Sequence, residues 1–91
     1  MNDFLGPESI TAQGRDGYIT IPTRMCRALG VNCEDYIWLH TRAKADPNRV
    51  FLGRVQLKSG TEVYDARDHD YRLRDYVKAY ETIDITVARD I

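Results

Sequence analysis

Pro22 and Gly30 bracket seven residues, Thr23 to Leu29, between two stretches of alternating apolar and polar side chains. That bracket leaves room for two helical turns and no more. Proline presets the φ of a first helical residue but ends a strand, and glycine takes the left-handed backbone that closes a helix. Within the bracket Met25 and Leu29 share one face at i, i+4, while Arg24 and Arg27 point elsewhere. The pattern around it is therefore strand, short helix, strand.

Similar punctuation runs through all 91 residues. Upstream, Ile10 and Ala12 alternate before Gly14-Arg15-Asp16-Gly17, and Ile19 and Ile21 alternate after it, which reads as a first hairpin over 8–21. Gly17 supplies the positive φ of that reversal. After the acidic link Val31–Asp35, Ile37 and Leu39 alternate with Tyr36, Trp38 and His40, so this strand is expected to be covered on both faces. Asp46-Pro47-Asn48 turns the chain into a strand from Val50 to Leu57 that Gly53 is expected to bend or bulge. Residues 36–57 thus form a second hairpin.

Lys58-Ser59-Gly60 turns again into a short strand near Thr61–Tyr64. Asp70 is placed to cap a helix from Tyr71 to Tyr80, with Leu73, Tyr76, Val77 and Tyr80 drawing an apolar stripe. Ile83, Ile85 and Val87 then alternate as a last strand. The expected class is mostly β with short helices.

A chain of this size holds one small domain and has no space for separate substrate and cofactor domains. It carries no Gly-rich phosphate loop, nucleophile elbow or HExxH, so no enzyme and no cofactor is expected. Cys26 and Cys33 lie outside any CxxC spacing and read as buried thiols rather than metal ligands; Asp68-His69-Asp70 reads as an acceptor-rich helix start. No run approaches the length of a membrane span, and the N-terminus lacks a basic, apolar leader, which reads as soluble and cytoplasmic. Net charge is −1, but residues 8–57 carry +2 and residues 58–91 carry −2. One face can be basic on a near-neutral molecule.

The ordered run Gly17-Tyr-Ile-Thr-Ile-Pro-Thr-Arg-Met-Cys-Arg-Ala-Leu-Gly-Val31, followed by the acidic turn and the strand from Tyr36, resembles the AbrB/SpoVT/MazE family of swapped-hairpin DNA-binding proteins. The resemblance covers residues 8–57. It implies a β-barrel closed by hairpin exchange in a homodimer, which can assemble further, with residues 58–91 as a folded strand-helix-strand extension packing on the barrel or the dimer interface. It also implies a transcriptional regulator that contacts double-stranded DNA through Arg15 in the turn and Arg24 and Arg27 on the helix, with Arg42 and Lys44 as secondary phosphate contacts. Arg27 falls on a position that is basic in the family; Cys26, Tyr18 and Glu34 replace the family's usual arginine, basic residue and glycine.

Physics asks for the same closure, because fifty residues bury too little surface to stand alone and leave open sheet edges. Six arginines per dimer, each a donor fork suited to phosphate, would give a salt slope of about −5. Two other readings stay open. One is a MazE-type antitoxin that binds a toxin through its C-terminal part. The other rests on an echo of element order between residues 18–40 and 62–87, through which one chain closes a double-psi barrel alone and acts as a protein-binding adaptor.

Overall fold

In the computed structural model, residues 4–63 and 72–89 are described. They run β1 (Leu5–Thr11), β2 (Ile19–Thr20), α1 (Thr23–Leu29), β3 (Tyr36–Ala43), β4 (Val50–Gln56), β5 (Glu62–Val63), a 3-10 turn (Leu73–Asp75) and β6 (Thr82–Arg89). Four strands make one antiparallel sheet in the order β1-β6-β3-β4, and β2 pairs with β5 in a separate ribbon. The protein is thus a small, mostly-β domain with one short helix.

Alternation decides which face each strand buries. Ile37, Leu39, Thr41 and Ala43 of β3, Phe51 and Val55 of β4, and Ile83, Ile85 and Val87 of β6 all point inward. There they meet Ile19, Ile21 and Val63 from the ribbon, Met25 and Leu29 from α1, and Leu73 and Val77 from around the 3-10 turn. The helix spans the residues expected of it, and Gly30 closes it in the left-handed region, its N–H reaching the carbonyls of Cys26 and Arg27.

Several expectations change. The first hairpin does not form: β1 pairs with β6 and β2 with β5. The reversal itself is present, since Gln13 N donates to Tyr18 O at 2.9 Å, but the two strands separate beyond it. A two-residue β2 finds its neighbour in β5 instead. The stripe read as a helix over 71–80 makes only one 3-10 turn within its described residues; Leu73 and Val77 are buried as a stripe requires, but Tyr80 turns to φ 60° and stands 76% exposed. Asp68, His69, Asp70 and Tyr71 lie outside the described residues. Gly53 neither bends nor bulges β4, whose register with β3 is continuous from Tyr36↔Gln56 to Arg42↔Val50. Its lack of a side chain makes room for the Phe51 ring, which would lie 2.6 Å from a Cβ at that point.

Residues 58–91, expected to pack on the barrel, supply β5 and also β6, which lies between β1 and β3. The pairings are related by an approximate internal two-fold. β1 with β6 corresponds to β4 with β3, while β3–β6 and β2–β5 each pair across the centre. Matching local details recur 46 positions apart. Glu34 and Tyr80, at φ 75° and 60°, each precede an acidic residue that leads into a long strand. Asp35 accepts from Asn32 N at 2.8 Å, and Glu81 accepts from Lys78 N at 3.0 Å. Leu57 N donates to Asp35 O at 2.9 Å, as Ala12 N does to Glu81 O at 2.7 Å.

Candidate functional site

The turn that carries Arg15 is fixed by the other half of the chain. Gly17 N donates to Val77 O at 2.8 Å, and Asp16 Oδ1 accepts from Ala79 N at 2.9 Å. Gly17 adopts φ 81°, and a Cβ there would stand 2.9 Å from the Cα and N of Arg74. Only glycine fits so close an approach in that conformation. The Arg15 guanidinium lies over the Tyr18 ring, 5.2 Å from its centroid, and donates to the Tyr18 hydroxyl at 3.2 Å. Tyr18 thus steadies a surface arginine instead of filling the core.

Arg24, in the first turn of α1, pairs with Glu8 of β1 while staying largely exposed. Arg27 is exposed in the last turn of the helix, where a cation is favoured by the carbonyl end of the helix dipole. Arg42 and Lys44 belong elsewhere. Ser9 and Glu8 are consecutive strand residues and so project to opposite faces of β1. Ser9 shares the outer face with Asp84, which accepts from its hydroxyl at 2.9 Å and lies 3.1 Å from Lys44 Nζ. Arg42 stands opposite Asp84 in register. The five expected DNA-contact residues therefore divide, with Arg24 tied to the Glu8 side of the sheet and Arg42 and Lys44 beside Asp84 on the outer side. The Ser9 hydrogen bond, then Lys44, holds the Asp84 carboxyl below the usual carboxylate range.

The outer face holds what sequence reasoning did not single out. Tyr36 and Trp38 are each 40% exposed and Leu52 is 57% exposed, so the expected cover over this side of β3 is absent among the described residues. Arg54 lies over the Tyr36 ring at 4.4 Å, and Trp38 stands opposite Arg54 in register. Beside them is a shallow cleft of about 230 Å³ lined by Pro7, His40, Arg42, Asp84 and Thr86. The signal was available in the alternation. If Phe51, Gly53 and Val55 face inward, Leu52 and Arg54 face outward, beside the even-numbered positions of β3.

Arg49 and Glu81 form a bidentate, partly buried pair, with Nη1 to Oε1 at 2.7 Å, and Arg49 also donates to Tyr76 O at 2.8 Å. The pair joins the β3–β4 loop to the acidic turn before β6. Hydrogen bonding to Arg49 holds Glu81 low, and the same bond raises Arg49. Cys26 is buried, which pushes its thiol up. Cys33 is exposed, contrary to the reading of two buried thiols, and its Sγ–H donates to Lys58 O at 2.7 Å. Comparison of the chain with protein families, with curated proteins and with solved structures gives no match.

Proposed function

We propose that this chain is a non-enzymatic DNA-binding module in which a single copy supplies both halves of a two-fold-like β domain, and that Arg15, Arg24 and Arg27 contact duplex phosphates. The observation that carries the reading is the fixed presentation of Arg15: a turn fastened to the second half of the chain, with its guanidinium braced on Tyr18. A braced arginine loses little rotamer entropy when it meets an anion. The Arg24–Glu8 pair does not oppose this use. An exposed ion pair is worth about 0–1 kcal/mol, so a phosphate can replace the carboxylate at small cost.

The swapped-hairpin resemblance calls for two copies, yet the argument for a dimer was the instability of fifty residues with open edges. Here β6 and β5 supply pairing partners to β1, β3 and β2 from within the chain, while β1 and β4 remain the edges of the sheet. The same internal pairing favours a second reading, a monomeric protein-binding adaptor. Salt dependence separates the readings of copy number: three phosphate contacts give a log K against log salt slope of about −3, and six give about −5. Fluorescence titration of a labelled generic duplex at several salt concentrations is expected to give the shallower slope, with light scattering near 10.5 kDa. A variant with Arg15, Arg24 and Arg27 all changed to Gln is expected to lose the binding. Undiminished affinity in that variant ends the proposal.

A further inference from the structure

We propose that Tyr80 is a further DNA contact of the Arg15 turn, its hydroxyl donating a hydrogen bond to the phosphate that Arg15 meets. This assignment rests on the duplex-binding reading above and adds one neutral donor to its three arginines. Tyrosine hydroxyls are among the side-chain groups that hold nucleic-acid phosphates and fix a protein's register on the duplex. The backbone places Tyr80 for that use. Tyr80 N donates to Gln13 O at 3.0 Å and Ala79 N to Asp16 Oδ1 at 2.9 Å, so the chain leading into Tyr80 is fastened to both ends of the turn. Its side chain then lies along the turn. A Cβ on Gly14 would stand 2.5 Å from the Tyr80 hydroxyl oxygen and 2.9 Å from Cζ, so the hydroxyl end of the ring rests against Gly14, the residue before Arg15. The acidic member of the turn, Asp16, is directed back at the segment that holds it: besides its bond from Ala79 N, its Oδ2 lies 4.0 Å from Lys78 Nζ.

Neither the fold nor the core calls for a tyrosine at this position. The turn before each long strand takes a left-handed residue in both halves of the chain, and Glu34 supplies it at φ 75° as Tyr80 does at φ 60°. Glycine or asparagine adopts that conformation with less strain than an aromatic residue. Tyr80 is also 76% exposed, so its ring buries little surface. What remains is an exposed phenol held at a strained backbone position, with a glycine beneath it that leaves room for the ring. Residues kept in sparsely populated backbone regions cluster where a side chain is aimed at a ligand.

The test is the salt-dependent titration of the labelled duplex, run on the full chain with Arg15→Gln, Tyr80→Phe and Tyr80→Gly beside wild type. A neutral donor neutralises no phosphate and releases no counterion. Tyr80→Phe is therefore expected to weaken binding about threefold to tenfold at every salt concentration and to leave the slope unchanged. Arg15→Gln is expected to lower affinity and also to flatten the slope by about 0.9. Tyr80→Gly is expected to bind no better than Tyr80→Phe while its Tm stays at or above that of wild type, because glycine relieves the left-handed backbone. That pairing of weaker binding with an intact fold separates a lost contact from lost structure. If Arg15→Gln weakens binding and Tyr80→Phe matches wild type, the Tyr80 assignment is overturned and the duplex reading stands. A loss seen in Tyr80→Gly but not in Tyr80→Phe overturns it as well, since the ring and not the hydroxyl would then make the contact. A wild-type chain that binds no duplex overturns both.

Discussion

Thr41 lies wholly inside the core of β3, and its hydroxyl finds no hydrogen-bond partner among the described residues. A buried hydroxyl without a partner has given up water for nothing, at a cost of roughly 1–3 kcal/mol. The internal two-fold places Val87 at the matching position of β6, 46 residues on, and that site is filled by an isosteric apolar group. Thr41→Val is therefore expected to stabilise the protein by about 1 kcal/mol, which differential scanning calorimetry reads as a rise of about 4–8 °C in Tm. A fall would mean that the hydroxyl has a partner. Gly17 has the opposite expectation. Gly17→Ala places a Cβ against the Arg74 backbone at positive φ and should cost about 2 kcal/mol or more, measured by urea unfolding. The need for glycine at 17 could be read from Asp16-Gly17, because turn chemistry is local. The purpose of Gly53 could not, since alternation shows which side a residue faces but not that the Phe51 ring covers it.

Strand, helix and turn signals were legible where proline, glycine and turn residues punctuate the chain, whereas the apolar stripe over 71–80, equally local, gives only a 3-10 turn within its described residues. The seven residues of α1 and the β3–β4 hairpin follow from Pro22, Gly30 and Asp46-Pro47-Asn48. Pairing was less legible. Ile83, Ile85 and Val87 mark β6 as a strand with one buried face, but the same alternation fits an edge strand or a central one. Its place between β1 and β3 depends on closing contacts more than 70 residues apart along the chain, such as Ile10↔Ile83. One of the ties that hold those distant elements is the Arg49–Glu81 pair. Glu81→Gln leaves Arg49 without its charged partner and should cost about 2 kcal/mol at neutral pH. Because Glu81 is held below the ordinary carboxylate value of about 4.3, its contribution is complete above that pH and is lost as pH falls through the lower, folded-state value. Wild type and Glu81→Gln should thus converge in stability as the solution is acidified below about pH 4, in urea titrations at stepped pH. A gap that persists in acid would assign the loss to packing.

At the scale of the molecule the question is whether residues 8–57 make a unit to which the rest is added, or one half of a fold that needs the other. The arrangement of strands argues for the second. Without β6, β1 loses its neighbour in the sheet and β3 loses one of its two; without β5, β2 is left alone. Removal also strips Leu73, Val77, Ile83, Ile85 and Val87 from the core and leaves the Gly14–Gly17 turn without its anchor at Val77. A module of that length already buries too small a share of its surface to fold readily. The fragment comprising residues 1–57 is therefore expected to show no cooperative thermal transition by circular dichroism, whereas the full chain melts in one. If the fragment instead melts cooperatively, and light scattering gives twice its own mass, two N-terminal halves have exchanged hairpins as the AbrB-type resemblance implies. The internal two-fold would then be a copy, within one chain, of an assembly that the first half can build by itself.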